Sequence, residues 1–353
     1  MSRIAPASHL AGAAAARALK PERAVAWWLI ACCAMIYLMV VIGGITRLTE
    51  SGLSITQWQP IEGVVPPLNG AQWNDAFQRY QAIPQFRAIH ADMTLAQFKT
   101  IYFWEYFHRL WGRLIGLAFA APFLYFLLRR MISRRLVAPL AGLFVLGALQ
   151  GALGWYMVAS GLEDRIEVSQ YRLAAHLAMA VVIYLAMLWV ALDLLARRDA
   201  APPYLRRGAT IALLLVFVTL VAGSFVAGTR AGFLDNTFPL MEGRFVPPDY
   251  WHLSPWYRNW FENLTSVQFD HRLLAETTWL AIAVLWLASL RARLAAAVRW
   301  ALHALFFFAC LQLVLGIATL LSVVELPLAV AHQAGALALL TAALVARHAL
   351  RGA

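Results

Sequence analysis

Four histidines carry the chemistry available to this chain. His108 stands 21 residues before Arg129, and His176 stands 21 before Arg197. His271 precedes Arg291 by 20, and His332 precedes Arg351 by 19. The residues between are mostly apolar, so each pair of markers reads as one helix. At 1.5 Å per residue every histidine then lies about 30 Å from its arginine, and all four share one depth. A lone histidine in an apolar helix is often just a satisfied polar residue. Four at matched depth are different, because polar groups in lipid are costly and usually functional. Neutral imidazoles facing each other across a bundle are suited to hold a heme iron from both sides. A structural zinc site would gather four ligands, often thiolates, around one ion, whereas these histidines pair two and two. His9, His90 and His252 fall outside the apolar segments. His303 and His348 fall at helix ends, where snorkelling or capping accounts for them.

The two pairs differ in their company. Glu105 lies three residues before His108, so it shares that helix face one turn further out. Gln268 holds the matching place before His271. A carboxylate beside a heme can be tuned for proton work, and an amide cannot. The asymmetry predicts that the first pair serves chemistry and the second passes electrons. The plainer reading pairs Glu105 with Arg109, four residues on. Arg109 and Arg272 follow the histidines and could neutralise heme propionates, or simply meet headgroups and loops.

Such a site needs helices in lipid to position it. Of 353 residues, 62% are hydrophobic and only 13% charged, against ~25% charged in soluble domains. A single soluble globule cannot hide that much apolar surface. Eight runs are long enough to span ~30 Å of hydrocarbon: 24–45, 101–128, 136–159, 173–196, 209–228, 268–290, 300–322 and 327–346. They are too long and too rich in Leu and Ala for barrel strands, so the fold class is an all-α integral membrane protein with eight transmembrane helices. The first run is too long for a cleavable signal peptide and lacks a small-residue cleavage site after it.

The net charge of +11 is a topology signal rather than a nucleic-acid footprint. One side gathers 17 basic residues against three acids: Arg3, Arg17, Lys20, Arg23, the clusters at 129–135 and 197–207, Arg291, Arg293, Arg299, Arg347 and Arg351 face only Glu22, Asp193 and Asp199. By the positive-inside rule both termini are cytoplasmic, residues 1–24 form a cytoplasmic tail, and the histidines lie near the outer face of a multi-pass cell (inner) membrane protein. Nucleic acid is not an expected partner; membrane lipid is.

The chain also repeats itself. Gly43-Gly44-Ile45-Thr46-Arg47 with Ser51-Gly52 is echoed by Ala227-Gly228-Thr229-Arg230 with Ala231-Gly232. Leu149-Gln150-Gly151-Ala152-Leu153-Gly154 is echoed by Leu311-Gln312-Leu313-Val314-Leu315-Gly316. The repeat predicts two duplicated four-helix bundles, residues 25–200 and 201–353, with a pseudo-twofold axis along the membrane normal. The first would hold the substrate site and the second a fixed heme.

The two long outer loops, 46–100 and 229–267, are rich in Trp, Tyr, Pro and Gly; they read as interfacial belts or as caps over a site. The first should lie over the mouth of the first bundle, with Thr46, Arg47 and Lys99 near the rim. The Asn263-Leu264-Thr265 sequon is a chance match. Cys32, Cys33 and Cys310 all fall in spans and read as packing residues, with no disulfide framework or thiolate metal site. Gly112-x-x-x-Gly116 and Gly147-x-x-x-Gly151 permit close helix packing, within a bundle or between copies in a homo-oligomer.

Together these residues resemble the heme A synthase family over nearly the whole chain. The markers are Gly43-Gly44-Ile45-Thr46-Arg47-Leu48-Thr49, Ser51-Gly52-Leu53-Ser54, Trp58-Gln59-Pro60, Pro66-Pro67, Phe98-Lys99 with Ile101, and Glu105-x-x-His108-Arg109 with Gly112-Arg113. The long first loop is similar to the branch shared with mitochondria. Some bacterial relatives carry a cysteine pair there; this chain has none, so a thiol relay through the loop is not expected.

The resemblance implies an oxidoreductase that converts a ring methyl of heme o to a formyl group by successive hydroxylations and loss of water. The product, heme a, serves the terminal oxidase. It implies a heme b cofactor on His271 and His332, heme o substrate on His108 and His176, and an essential catalytic carboxylate at Glu105. Arg109, Arg272, Arg47, Arg230 and Lys99 become propionate or pocket candidates. A heme o synthase and an electron acceptor become expected partners. Two rivals stay open: a non-catalytic b-type cytochrome exchanging electrons with quinone, and a heme transporter. The Glu105/Gln268 difference favours the enzyme.

Overall fold

The computed structural model of the protein describes residues 7–59, 62–163, 165–195 and 201–351, with side chains from residue 22 onward. Arg3, Pro60, Arg197, Arg198 and Asp199 lie outside the described residues, as do the side chains of His9, Arg17 and Lys20. Eleven α-helices are described: α1 (Ala7–Leu48), α2 (Gly70–Gln81), α3 (Pro84–Ile89), α4 (Leu95–Leu128), α5 (Arg134–Ala159), α6 (Gln170–Leu195), α7 (Pro203–Thr229), α8 (Asn259–Glu262), α9 (Leu264–Ser289), α10 (Ala296–Leu321) and α11 (Leu326–Ala349). Eight of these are long and apolar enough to cross a membrane: Glu22–Leu48 of α1, and α4, α5, α6, α7, α9, α10 and α11. The protein is a multi-pass, all-helical membrane protein.

Helix ends fall where local chemistry sets them. Helix α4 starts at Leu95, six residues before its apolar run, because Thr94 and Gln97 form a capping box. The Thr94 hydroxyl accepts from the Gln97 amide, and Gln97 Oε1 accepts from the Thr94 amide at 2.8 Å. These reciprocal bonds satisfy two otherwise orphaned donors. Asn263 is no glycan acceptor site in this fold. It is buried, its Oδ1 caps α9 by accepting from the Thr265 amide at 3.0 Å, and its amide donates to Asp249 O at 2.7 Å.

In the membrane, α1, α6, α7 and α11 pack together along the middle of the molecule. Helices α4 and α5 lie on one flank, against α1 and α6; α9 and α10 lie on the other, against α7 and α11. The buried core runs through this seam, from Leu29, Cys32 and Ile36 through Tyr184 and Met187 to Leu340 and Leu344. All three cysteines are free thiols, with Cys32 and Cys33 inside that core.

At the end away from the long loops, His348 corrects the snorkelling expectation. It is buried, and its Nε2 meets Asp193 Oδ1 at 2.7 Å, tying α11 to α6 with Arg351 on the same carboxylate. His303 is likewise occupied, accepting from Trp286 Nε1 at 2.9 Å. Tertiary packing brings these partners together; neither lies in the same helix as its histidine.

The long loops fold back onto the helices. In the first, Leu53, Ala76, Tyr80 and Ile83 pack on Phe98 and Ile101 of α4 in a small second core. In the second, α8 is tied to α6: Tyr171 donates to Glu262 Oε1 at 2.8 Å while Arg258 NH2 meets Oε2 at 2.5 Å. The Arg258 side chain first, and then the Tyr171 hydroxyl, hold the Glu262 carboxyl below the usual carboxylate range. A depressed carboxylate contributes its stability above the unfolded value and loses it as pH falls through the folded one. The protection factors of the amides across residues 256–262, relative to the intrinsic exchange rate at each pH, should therefore fall as pH drops below about 4.3, while the capped start of α4 stays protected. Protection in that segment that is flat with pH would refute the tie.

Candidate functional site

The helices that carry the histidines leave gaps between them. Helices α4 and α6 carry His108 and His176, α9 and α11 carry His271 and His332, and neither pair of helices is closely packed. Each histidine reaches across its gap, and all four rings are half-buried. In the second gap the rings of His271 and His332 face each other with centroids 6.4 Å apart and planes at 82°. Two in-line metal–nitrogen bonds of about 2 Å each, plus the distance from each nitrogen to its ring centre, require about the same span. In the first gap, the His108 ring lies against Gly43 of α1 and the His176 ring against Gly154 of α5.

Glycines give the rings their room. A Cβ at Gly154 would stand 2.8 Å from His176 Cε1, and one at Gly316 would stand 3.0 Å from His332 Cε1. One at Gly223 would stand 3.0 Å from His271 Cε1, and one at Gly43 would stand 3.2 Å from His108 Nε2. A methyl at Gly154 would force the His176 ring to shift, and one at Gly43, Gly223 or Gly316 would require its ring to give by a few tenths of an ångström. Gly43, Gly154 and Gly316 belong to the repeated motifs, but the sequence reading gave them no role. Gly223 escaped it, because aligning Arg47 with Arg230 places Val40 opposite Gly223.

The donor chemistry fits a porphyrin iron held between paired imidazoles. Among the described residues, no group of three or more His, Cys, Asp or Glu is placed to hold a bare metal ion. The buried oxygens Gln150 Oε1 and Gln312 Oε1, beside His176 and His332, have no hydrogen-bond partner as the carboxamides stand.

Glu105 sits one turn from His108, as expected, but it does not face water. Only 3% of its side chain is exposed. The first loop closes over it. Glu105 Oε2 accepts from Ser54 Oγ at 2.8 Å and from the Ile55 amide at 2.6 Å. Glu105 Oε1 accepts from Arg109 Nε at 3.1 Å and NH2 at 2.6 Å. Both readings of this residue thus meet in one place: it pairs with Arg109, and it stands beside the histidine.

The two guanidiniums act alike in the two halves. Arg109 donates to Ile55 O and Gln57 O at 2.7 and 2.9 Å. Arg272 donates to Asp235 O and Thr237 O at 2.6 and 2.7 Å. With Gly52 aligned to Gly232, these are matching carbonyls of the repeat. Gln268 donates its amide to Asp235 O at 2.9 Å, so it too holds its loop, but through the opposite polarity to Glu105. Both arginines are therefore already engaged with loop main chain at the rims of the gaps.

The first loop then runs along α4. Arg113 NH2 donates to Gln59 O at 2.8 Å, Trp58 stacks on Trp155 of α5 at 5.7 Å, and Tyr106 donates to Val64 O at 2.7 Å. It covers the outside of the first gap from the level of Glu105 to beyond that of His108.

The remaining candidates divide. Arg47 and Arg230 meet on one carboxylate, Glu167, with Glu50 on Arg230 and His90 on Glu50. They clamp the two halves together at the loop-rich end, and Arg47 adds a bond to Ala227 O at 3.0 Å. Thr46 is buried and donates to Ile42 O at 2.9 Å. Lys99 is not brought to the histidines: it is exposed, its ammonium lies 5.1 Å from the Trp73 ring centre, and nine helical residues put it about 14 Å outward of His108.

The COX15-CtaA family model, described as cytochrome oxidase assembly protein, matches residues 26–344. The heme A synthase of Nitrosospira multiformis is 53% identical over 335 residues, covering 94% of each chain. That of Nitrosomonas eutropha is 49% identical over 326 residues, 91% of this chain and 92% of its own. That of Parvibaculum lavamentivorans is 48% identical over 317 residues, 90% and 91%. With the match running from the first span into the last and taking in all four histidines, the chain belongs to the COX15-CtaA family of cytochrome oxidase assembly proteins.

Proposed function

We propose that the protein is a heme A synthase of the cell membrane, converting a ring methyl of heme o to a formyl group by two successive hydroxylations and loss of water. The observation that carries this reading is the pair of imidazole gaps, of which, among the described residues, only the first has a fully buried carboxylate one turn from a histidine. His108 and His176 hold the substrate, and residues 25–200 form the catalytic half. His271 and His332 hold heme b, and residues 201–353 form the electron-transfer half. Heme b, when bound, supplies a one-electron carrier between the substrate site and an external acceptor.

The chain's own residues have separate tasks. The imidazoles of His108 and His176 would hold the substrate iron, one helical turn inward of Glu105. The loop from Ser54 to Gln59 closes the lipid-facing mouth, so an apolar substrate sits in a covered pocket. Arg109 and Arg272 hold the loops at the rims, where their remaining positive field also favours propionates. Glu105 stands one turn outward from His108, held by Ser54, the Ile55 amide and Arg109, where a carboxylate can take up a proton released as the substrate is oxidised. Gln268 cannot, so the second half holds its heme without altering it. The termini are cytoplasmic, the heme sites lie near the outer face, and heme o arrives from a heme o synthase in the same membrane.

Expression with and without a heme o supply, followed by chromatography of the extracted hemes, tests the reading. Heme b is expected in both samples and heme a only where heme o is available. Heme b in both with heme a in neither would point to a plain b-type cytochrome. Reversible uptake of unaltered heme would point to a carrier.

A further inference from the structure

We propose that Gln150 and Gln312 are positioning residues for one ligand of each heme, His176 and His332, and that each works with the glycine four residues on. This rests on the reading of the histidine pairs as heme ligands. In α5, Gln150 Nε2 lies 3.1 Å from His176 Nδ1 and 2.9 Å from His176 O. In α10, Gln312 Nε2 lies 3.1 Å from His332 Nδ1 and 3.0 Å from His332 O. Gly154 and Gly316 follow at i+4, on the same helix face, and touch the Cε1 edge of the same rings. Gln-x-x-x-Gly is therefore an imidazole cradle, one residue gripping the ring and the other making space for it. Among the described residues no side chain hydrogen-bonds the ring of His108 or His271, so each pair has one braced and one unbraced member.

The bracing has a chemical consequence. A histidine that ligates through Nε2 carries its proton on Nδ1 and needs an acceptor there, which fixes its tautomer and raises its basicity. Gln150 Oε1 and Gln312 Oε1 are buried with no partner. Turning either carboxamide end for end brings that oxygen to the Nδ1 proton. The carboxamide gives up its bond to a helix carbonyl that already serves the next turn, and must swing off that carbonyl so that its oxygen meets the Nδ1 proton and not a second acceptor. Gly335 leaves room for the carboxamide, since a Cβ there would stand 2.4 Å from Gln312 Oε1.

The test uses the purified heme-loaded protein, with redox titration of heme b, its low-spin electron-paramagnetic signal and its heme content. Gln312→Met keeps the volume and removes the acceptor. It is expected to raise the heme b midpoint potential, because the ferric iron loses electron donation, and to weaken heme retention 10–100-fold, the usual cost of losing such a partner. Gln312→Glu offers a stronger acceptor and should move the potential the opposite way. Should Gln312→Met not fold, Gly316→Ala reads the same cradle: its methyl forces the ring to turn, and the low-spin signal should shift. Unchanged potential and signal in whichever of these variants folds would overturn the proposal. His332→Ala separates the two levels. If that variant keeps heme b, the heme reading itself fails; if it loses heme b while Gln312→Met is unchanged, only the cradle fails.

Discussion

Replacing Glu105 by Gln is expected to cut heme a output by about 10²–10⁴, the usual cost of losing a catalytic acid–base group, while heme b content stays normal. Extracted hemes should pile up as heme o or its hydroxylated form. The second half of the molecule shows why the fold should survive. There Gln268 already occupies the matching place, and Arg272 holds Asp235 O and Thr237 O with no carboxylate in ion-pair contact. Arg109 keeps the equivalent bonds to Ile55 O and Gln57 O when its partner becomes neutral. The stability cost should therefore be about 1–3 kcal/mol, that of hydrogen bonds to a charged group, rather than the about 3–5 kcal/mol of a stranded buried charge. Glu105→Ala goes further, because it also leaves Ser54 and the Ile55 amide without their acceptor; it should loosen residues 51–59 to proteolysis. Normal heme a yield from Glu105→Gln would reduce this residue to a loop anchor. Loss of all heme together with the folded protein would mark the ion pair with Arg109 as purely structural.

The other large effect concerns the ligands. His271→Ala and His332→Ala should each abolish the low-spin b-type spectrum of the purified protein, because a 6.4 Å gap bridged from both sides cannot be bridged from one. Both variants should also melt at lower temperature than the parent, since a bound cofactor stabilises the folded state by mass action. His108→Ala and His176→Ala should keep that spectrum and lose the ability to retain heme o. If His271→Ala retained full heme b with unchanged absorption, the assignment of the two gaps would be wrong.

Much of this site was legible in the chain. Eight apolar runs fixed the class, because lipid leaves the backbone no alternative to continuous helix. Counting residues from each histidine to the next basic cluster gave all four the same expected depth, because rise per residue is constant in a helix. The repeat marked Glu105 against Gln268. Spacing along one helix also fixed which residues share a face, as with Glu105 and His108, or Gln312 and Gly316.

Contacts between segments far apart in the chain were not legible. That Arg109 grips Ile55 O and Gln57 O, and Arg272 the carbonyls of Asp235 and Thr237, cannot be read from sequence, since every residue offers the same main-chain oxygen. The same holds for the covering of Glu105: spacing put it one turn outward of His108, and only the returning loop, through Ser54 and Ile55, buries it. Arg47 and Arg230 read as two separate rim residues, yet they meet on Glu167, 120 residues from Arg47. His348 looked like an interfacial side chain until the packing of α11 on α6 set Asp193 against it. The sequence by itself determined the helices, the depth of the histidines and the carboxylate that distinguishes one half. Tertiary structure alone decided which rings face each other, which glycines make room for them and what closes over Glu105. Local spacing fixes direction along one helix, while the neighbour across a gap is chosen by how all the helices pack together.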